Sequence, residues 1–217
     1  MLIYDVEVLY GPDEVEGGWN NPEGMKFGTA VVYDSIDDLY HFYGPSDLEK
    51  LRAHLSLEPR AGFNNVKFDD LVIFGNDYVQ PGYDLGKDHL RFTETWCVMD
   101  LLIRVVAAKF GVRTVSEAEQ KYGSAEVHDG TIGLNSLAMS TIGKAKTGYG
   151  AKAPLLIREG KWADVFAYNL NDVRITWKLI EFVNKFGFVV DRKGNVIRIK
   201  SFSFDERSSR GDGDEEI

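Results

Sequence analysis

Asp5 and Glu7 interrupt the run Leu2-Ile3-Tyr4-Asp5-Val6-Glu7-Val8-Leu9, whose other members favour β-strands. Side chains alternate faces along a strand, so the two acids share one face among neighbours suited to burial. Held there alone they would repel. A hard divalent cation such as Mg²⁺ takes carboxylate oxygens and keeps several waters, so the chemistry this pair suggests is metal binding. The spacing itself carries no weight, because a chain this acidic yields about five acid-x-acid pairs by chance. Six occur: Asp5/Glu7, Glu14/Glu16, Asp47/Glu49, Glu117/Glu119, Asp212/Asp214 and Asp214/Glu216. Only the apolar strand context sets the first apart; Glu14/Glu16 and Glu117/Glu119 read as solvated.

Two further stretches place acids in structured surroundings. Asn65-Val66-Lys67-Phe68-Asp69-Asp70 ends on adjacent aspartates where helical spacing begins, and an Asp there ordinarily caps the helix. Tyr168-Asn169-Leu170-Asn171-Asp172 lies within a long helical pattern, so Tyr168 and Asp172, four apart, share a helix face. Taken alone, Asp172 could be a solvated edge of the apolar stripe and Tyr168 ordinary core. Positive charge is concentrated just before that helix: Lys144, Lys146, Lys152, Arg158 and Lys161 stand against Glu159 alone between residues 143 and 162, with Gly148, Tyr149 and Gly150 among them. That segment reads as a phosphate-contacting loop, the alternative being a solvated surface loop. His41, His54, His89 and His128 have no metal-ligand spacing.

Together these motifs give the chain its resemblance to the DEDDy branch of 3′–5′ exonucleases in the ribonuclease H-like superfamily. Asp5-Val6-Glu7 resembles that branch's first motif D-x-E, Asn65 to Asp69 its second, N-x-x-[FY]-D, and Tyr168 to Asp172 its third, Y-x-x-x-D. The sister branch carries a histidine five residues before the last aspartate, where this chain has Ala167. Leu134-Asn135-Ser136-Leu137-Ala138 and Gly143-Lys144-Ala145-Lys146-Thr147-Gly148 look like stand-alone relatives of family B DNA polymerase proofreading domains. The likeness covers roughly residues 1 to 186.

The resemblance implies a catalytic set of Asp5, Glu7, Asp69, Tyr168 and Asp172, with the four acids holding two divalent cations, Mg²⁺ or Mn²⁺. Such a pair serves in-line displacement at phosphorus, activating a water and neutralising charge on the leaving oxygen. Tyr168, with an ordinary pKa of about 10, is neutral at pH 7 and suits orienting that water. Asn65, Lys144, Lys146 and Lys152 are the expected substrate contacts, Asn65 bonding either the substrate or the Asp69 backbone. Asp70 is the rival of Asp69, which is preferred because it directly follows the aromatic Phe68. The partner implied is single-stranded nucleic acid, DNA ahead of RNA, and proofreading would require a replication or repair protein in trans. A non-catalytic binding module of the same fold, or a ribonuclease H or integrase-type endonuclease, are the rival functions.

The elements that must position these residues can be read in chain order. After the first strand, residues 11–24 read as a loop, and Phe27–Tyr33 and Leu39–Tyr43 as strands joined by a turn at 34–38, suggesting a partly antiparallel sheet. A helix from Ser46 through His54 carries a capping box of Ser46 with Glu49. A short apolar segment at 60–64 precedes a helix over 68–78, then a strand over 96–99 and a helix over 101–110 capped by Asp100. Residues 116–122 read as a short helix, and another is expected to start at Asn135 or Ser136 and run to Ile142. The longest helix spans Trp162–Phe186 and stops at Gly187. A hairpin of 188–190 with 196–199 follows, and from Asp205 the acidic tail has almost nothing to bury. The fold class expected is α/β, a ribonuclease H-like mixed five-stranded sheet flanked by helices, forming one domain over residues 1–204.

The whole chain bounds these readings. Its 217 residues suit one core, and no apolar run approaches the ~18 residues a membrane span needs. Cys97 is the only cysteine, which excludes an internal disulfide and fits a reducing, cytoplasmic setting. A formal net charge of −9 excludes coating nucleic acid through bulk charge, so any grip on it must be local.

Overall fold

A computed structural model describes residues 1–57, 59–78, 95–98, 133–148 and 150–199. Its strands are β1 (Leu2–Val8), β2 (Phe27–Asp34), β3 (Leu39–Tyr43), β4 (Arg60–Gly62), β5 (Thr95–Cys97), β6 (Phe188–Val190) and β7 (Val196–Arg198). Its helices are α1 (Leu48–Leu55), α2 (Asp69–Phe74), α3 (Leu134–Ile142), α4 (Ala153–Arg158) and α5 (Trp162–Phe186). The main sheet runs β3-β2-β1-β4-β5. β1 pairs antiparallel with β2 and parallel with β4; β2–β3 is antiparallel and β4–β5 parallel. The expected mixed α/β character is thus present.

The alternation of β1 organises the two sides of the sheet. Leu2, Tyr4, Val6 and Val8 point into a core shared with Leu51 and Leu55 of α1 and Val72 and Ile73 of α2. Ile3 points the other way, into a core built with Leu137 of α3 and Val173, Leu179 and Val183 of α5. Asp5 and Glu7, in phase with Ile3, therefore lie on the α5 side. Fully burying an aliphatic side chain is worth about 1.5–3 kcal/mol. α5 buries Val165, Val173, Ile175, Leu179, Ile180 and Val183, enough to hold the helix on the sheet despite also burying Asn169 and Asp172. Gly187 ends α5 in the left-handed region (φ 73°), its N–H bonded to Val183 O at 2.7 Å.

Several local expectations are corrected. Ser46 forms no capping box: Asp47 Oδ2 accepts from the Gly44 N–H at 3.1 Å, and Glu49 pairs with Arg52. α2 stops at Phe74, four residues short of the expected end, where Gly75 takes φ 104°. Residues 150–158, read as part of a loop, form a 3-10 turn and α4; Pro154 in its first turn suits a helix start. α3 begins at Leu134, just ahead of the expected start. The expected helices at 101–110 and 116–122, the Asp100 cap and the tail from Asp205 lie outside the described residues. Among the described residues no helix is long and apolar enough to cross a membrane.

Candidate active site

The acidic face of β1 is where three separate elements meet. β1 contributes Asp5, half-buried, and Glu7, 6% exposed. A register irregularity against β2 falls directly after Glu7. α2 contributes Asp69, whose Oδ1 accepts the Val6 backbone N–H at 2.8 Å, so the carboxylate is pinned to β1 between the two acids in sequence. α5 contributes Asp172, buried, and one turn before it Tyr168, half-buried.

The four carboxylates stand within electrostatic reach of one another. Asp5 is pushed well above the ordinary carboxylate range, first by burial and then by Asp69, Asp172 and Glu7. Glu7 is raised likewise by burial and by Asp172. Burial raises Asp69 to about 7 against the pull of the Val6 N–H. Asp172 is raised by burial, with Lys146 and then Tyr168 pulling it back. The Tyr168 hydroxyl is itself raised by burial and by Asp172, which keeps it neutral and able to donate a hydrogen bond at physiological pH.

Lys146 answers part of this negative charge. Its Nζ lies 2.5 Å from Asp172 Oδ2 and 5.2 Å from the centre of the Tyr168 ring. Burial alone would lower its pKa, but Asp172 and Asp5 together raise it, so it is a fixed cation. The segment leading to it is held by Asn135, whose Oδ1 accepts the Lys146 backbone N–H at 2.9 Å. Lys144 and Lys152 are both exposed.

Asp70 goes elsewhere. It is fully buried on the other side of β1, receives the Tyr4 hydroxyl, and lies 3.5 Å from Arg60 Nε. Arg60 in turn bonds the Tyr78 hydroxyl at 2.9 Å and covers the Phe74 ring. Asn65 belongs to this same network: it is fully buried, and its Nδ2 donates to the Tyr4 hydroxyl at 3.0 Å. Neither of the two partners expected for Asn65 is the one this bond reaches. Gly62 makes the approach possible, since a Cβ there would stand 2.8 Å from Asn65 Cβ.

Three further residues shape the site. Asn169, fully buried, donates from Nδ2 to both the Asp5 carbonyl and Asp5 Oδ2 at 3.2 Å, tying α5 to β1. Its legible signal was a second polar residue three before Asp172 on an otherwise apolar helix face. Gly148 packs on Tyr168: a Cβ would lie 2.8 Å from the ring's Cδ2. A Cβ on Gly150 would meet the Tyr168 hydroxyl at 3.3 Å and Glu7 Oε2 at 3.9 Å. These glycines let the backbone come close to where the acids gather.

The donor set fits hard cations. It is all oxygen, and among the described residues Asp172 Oδ1 and Asn169 Oδ1 are buried without a hydrogen-bond partner, an arrangement that costs free energy unless something else satisfies them. Among the described residues no three His, Cys, Asp or Glu side chains already stand at the spacing that closes on an ion; the acids would need to draw together around one. No family model matches this chain, and no curated protein matches it as a relative.

Proposed function

We propose that this protein is a metal-dependent 3′–5′ exonuclease of ribonuclease H-like fold, removing nucleotides from the 3′ end of single-stranded DNA. The observation that carries the reading is the meeting of Asp5, Glu7, Asp69 and Asp172, from β1, α2 and α5, with the neutral Tyr168 hydroxyl beside them. The architecture supports it at a coarse level: the acidic strand sits centrally in a mixed sheet, between an antiparallel and a parallel neighbour. Held by those four carboxylates, two divalent cations, Mg²⁺ or Mn²⁺, would supply an activated water and neutralise charge on the phosphate and leaving oxygen.

The chain's own residues do the remaining work. The Val6 N–H and the Asn169 amide orient Asp69 and Asp5, which limits how these two carboxylates turn as the acids draw together. Tyr168 donates its hydroxyl proton in a hydrogen bond to the attacking water and orients it without titrating. Gly148 and Gly150 stand close against Tyr168, where a Cβ would meet the ring or its hydroxyl. Lys144 and Lys152, exposed nearby, supply positive charge to the nucleic-acid backbone.

The test is incubation of 5′-labelled single-stranded DNA, and separately RNA, with Mg²⁺ or Mn²⁺. The expected result is a ladder shortening one nucleotide at a time from the 3′ end, absent in Asp172→Asn, with circular single strands left intact. Cutting of the circle would replace the reading with an endonuclease. Binding without any hydrolysis would replace it with a non-catalytic module.

A further inference from the structure

We infer that Lys146 is a tethered counter-cation that holds the carboxylate cluster together in the metal-free protein and is displaced when a divalent cation binds. The inference rests on the metal-site reading above and adds its regulation. Lys146 Nζ is 2.5 Å from Asp172 Oδ2, and its charge acts favourably on Asp5, Glu7, Asp69 and Asp172 alike. Asp172 is buried and uses only one oxygen in this pair; among the described residues its Oδ1 has no hydrogen-bond partner. The cluster is therefore partly neutralised from within, and half of its most buried carboxylate is left for another donor or ion.

Both cations cannot keep these places. A cation on the Asp172 carboxylate would lie within a few ångströms of the ammonium, in a site where water screens poorly and like charges repel strongly. The lysine is able to leave. Its side chain is a flexible four-carbon stem that retains partial solvent exposure, and the segment 143–148 carries no helix or strand. Its backbone is anchored through the Asn135 bond, so the ammonium can swing out while the chain stays in place. Thermodynamic linkage then requires that whatever Lys146 contributes to the metal-free state be subtracted from metal affinity.

The experiment measures Mn²⁺ binding by calorimetry to the full chain, as wild type and as Lys146→Gln, without nucleic acid. Removing the competing charge should tighten Mn²⁺ binding by roughly tenfold while lowering the melting temperature of the metal-free protein. Should Lys146→Gln fold poorly, the wild type alone provides a second measurement: labelling of lysines with an amine-reactive ester, quantified by mass spectrometry. Lys146 should become more reactive on adding Mn²⁺, with exposed Lys144 as the internal control. Mn²⁺ binding that is equal or weaker in Lys146→Gln, or Lys146 labelling unchanged by bound Mn²⁺, overturns the displacement and leaves the metal site standing. No Mn²⁺ binding by wild type or variant overturns both.

Discussion

Adjacent aspartates with opposite duties show how much the residue scale decides. Asp69 is held on β1 by the Val6 N–H and faces the other acids, whereas Asp70 is locked to Arg60 and Tyr4 in the opposite core. Truncating one partner of a buried ion pair leaves the other uncompensated, at a cost of about 3–5 kcal/mol. Asp70→Ala should therefore lower the melting temperature by on the order of 10 °C, with hydrolysis retained by whatever remains folded. Asp69→Ala should do the reverse, abolishing most hydrolysis with far less loss of stability. A thermal melt and a nuclease assay on the two variants distinguish these duties; Asp70 essential and Asp69 dispensable would reverse the assignment. Asp5 provides the electrostatic counterpart, because its neighbours Asp69, Asp172 and Glu7 repel it. Asp5→Asn should leave the metal-free protein as stable as the wild type or more so. At a hundredfold excess over Kd, Mn²⁺ should raise the wild-type melting temperature by roughly 5–10 °C and that of Asp5→Asn much less.

At the scale of elements, the site depends on close approaches between segments. The loop at Gly148 meets Tyr168 on α5 so tightly that a Cβ would stand 2.8 Å from the ring. Gly148→Ala should therefore push the ring aside and reduce turnover in the same direction as Tyr168→Phe, while the folded fraction stays unchanged. Normal turnover in Gly148→Ala would mean that the loop yields instead of the ring. On the far side, α1 meets β3 through His54, whose Nδ1 lies 2.6 Å from the Tyr43 hydroxyl and whose ring abuts His41. Burial, then His41, lowers the His54 pKa, with Asp34 opposing. A histidine depressed in the fold takes up its proton more readily when unfolded. Stability from this contact is thus present at neutral pH and lost as pH falls through the ordinary histidine value near 6.5. Melting curves at about pH 7.5 and about pH 5.5 should show a larger acid loss in wild type than in His54→Gln.

For the whole molecule, the proposed function requires that a chain of net charge −9 grip a polyanion locally. The basic residues before α5 have separate duties: Lys146 is paired with Asp172, Arg158 with Glu14 and Lys161 with Glu159, while Lys144 and Lys152 are exposed. Replacing Lys144 and Lys152 with Gln should weaken single-strand binding and flatten its dependence on salt, by about 0.7 in log–log slope for each phosphate that a lysine no longer neutralises. An unchanged slope, measured by fluorescence anisotropy across salt concentrations, would return these lysines to the role of solvated surface.

Local periodicity made much of this protein legible in its sequence. Strand alternation set Asp5 and Glu7 on one face, helical spacing put Tyr168 over Asp172, and Gly187 marked the end of α5, because each depends on a few residues' own geometry. The helix at 153–158 escaped that reading, since two turns are too short to show a period amid the lysines. The motif register preferred Asp69 to Asp70, but that Asp70 turns to Arg60, that Asn65 bonds Tyr4 and that Lys146 lies against Asp172 were decided only by tertiary structure. Each depends on how faces of segments tens of residues apart are brought together, and spacing along the chain carries no record of that.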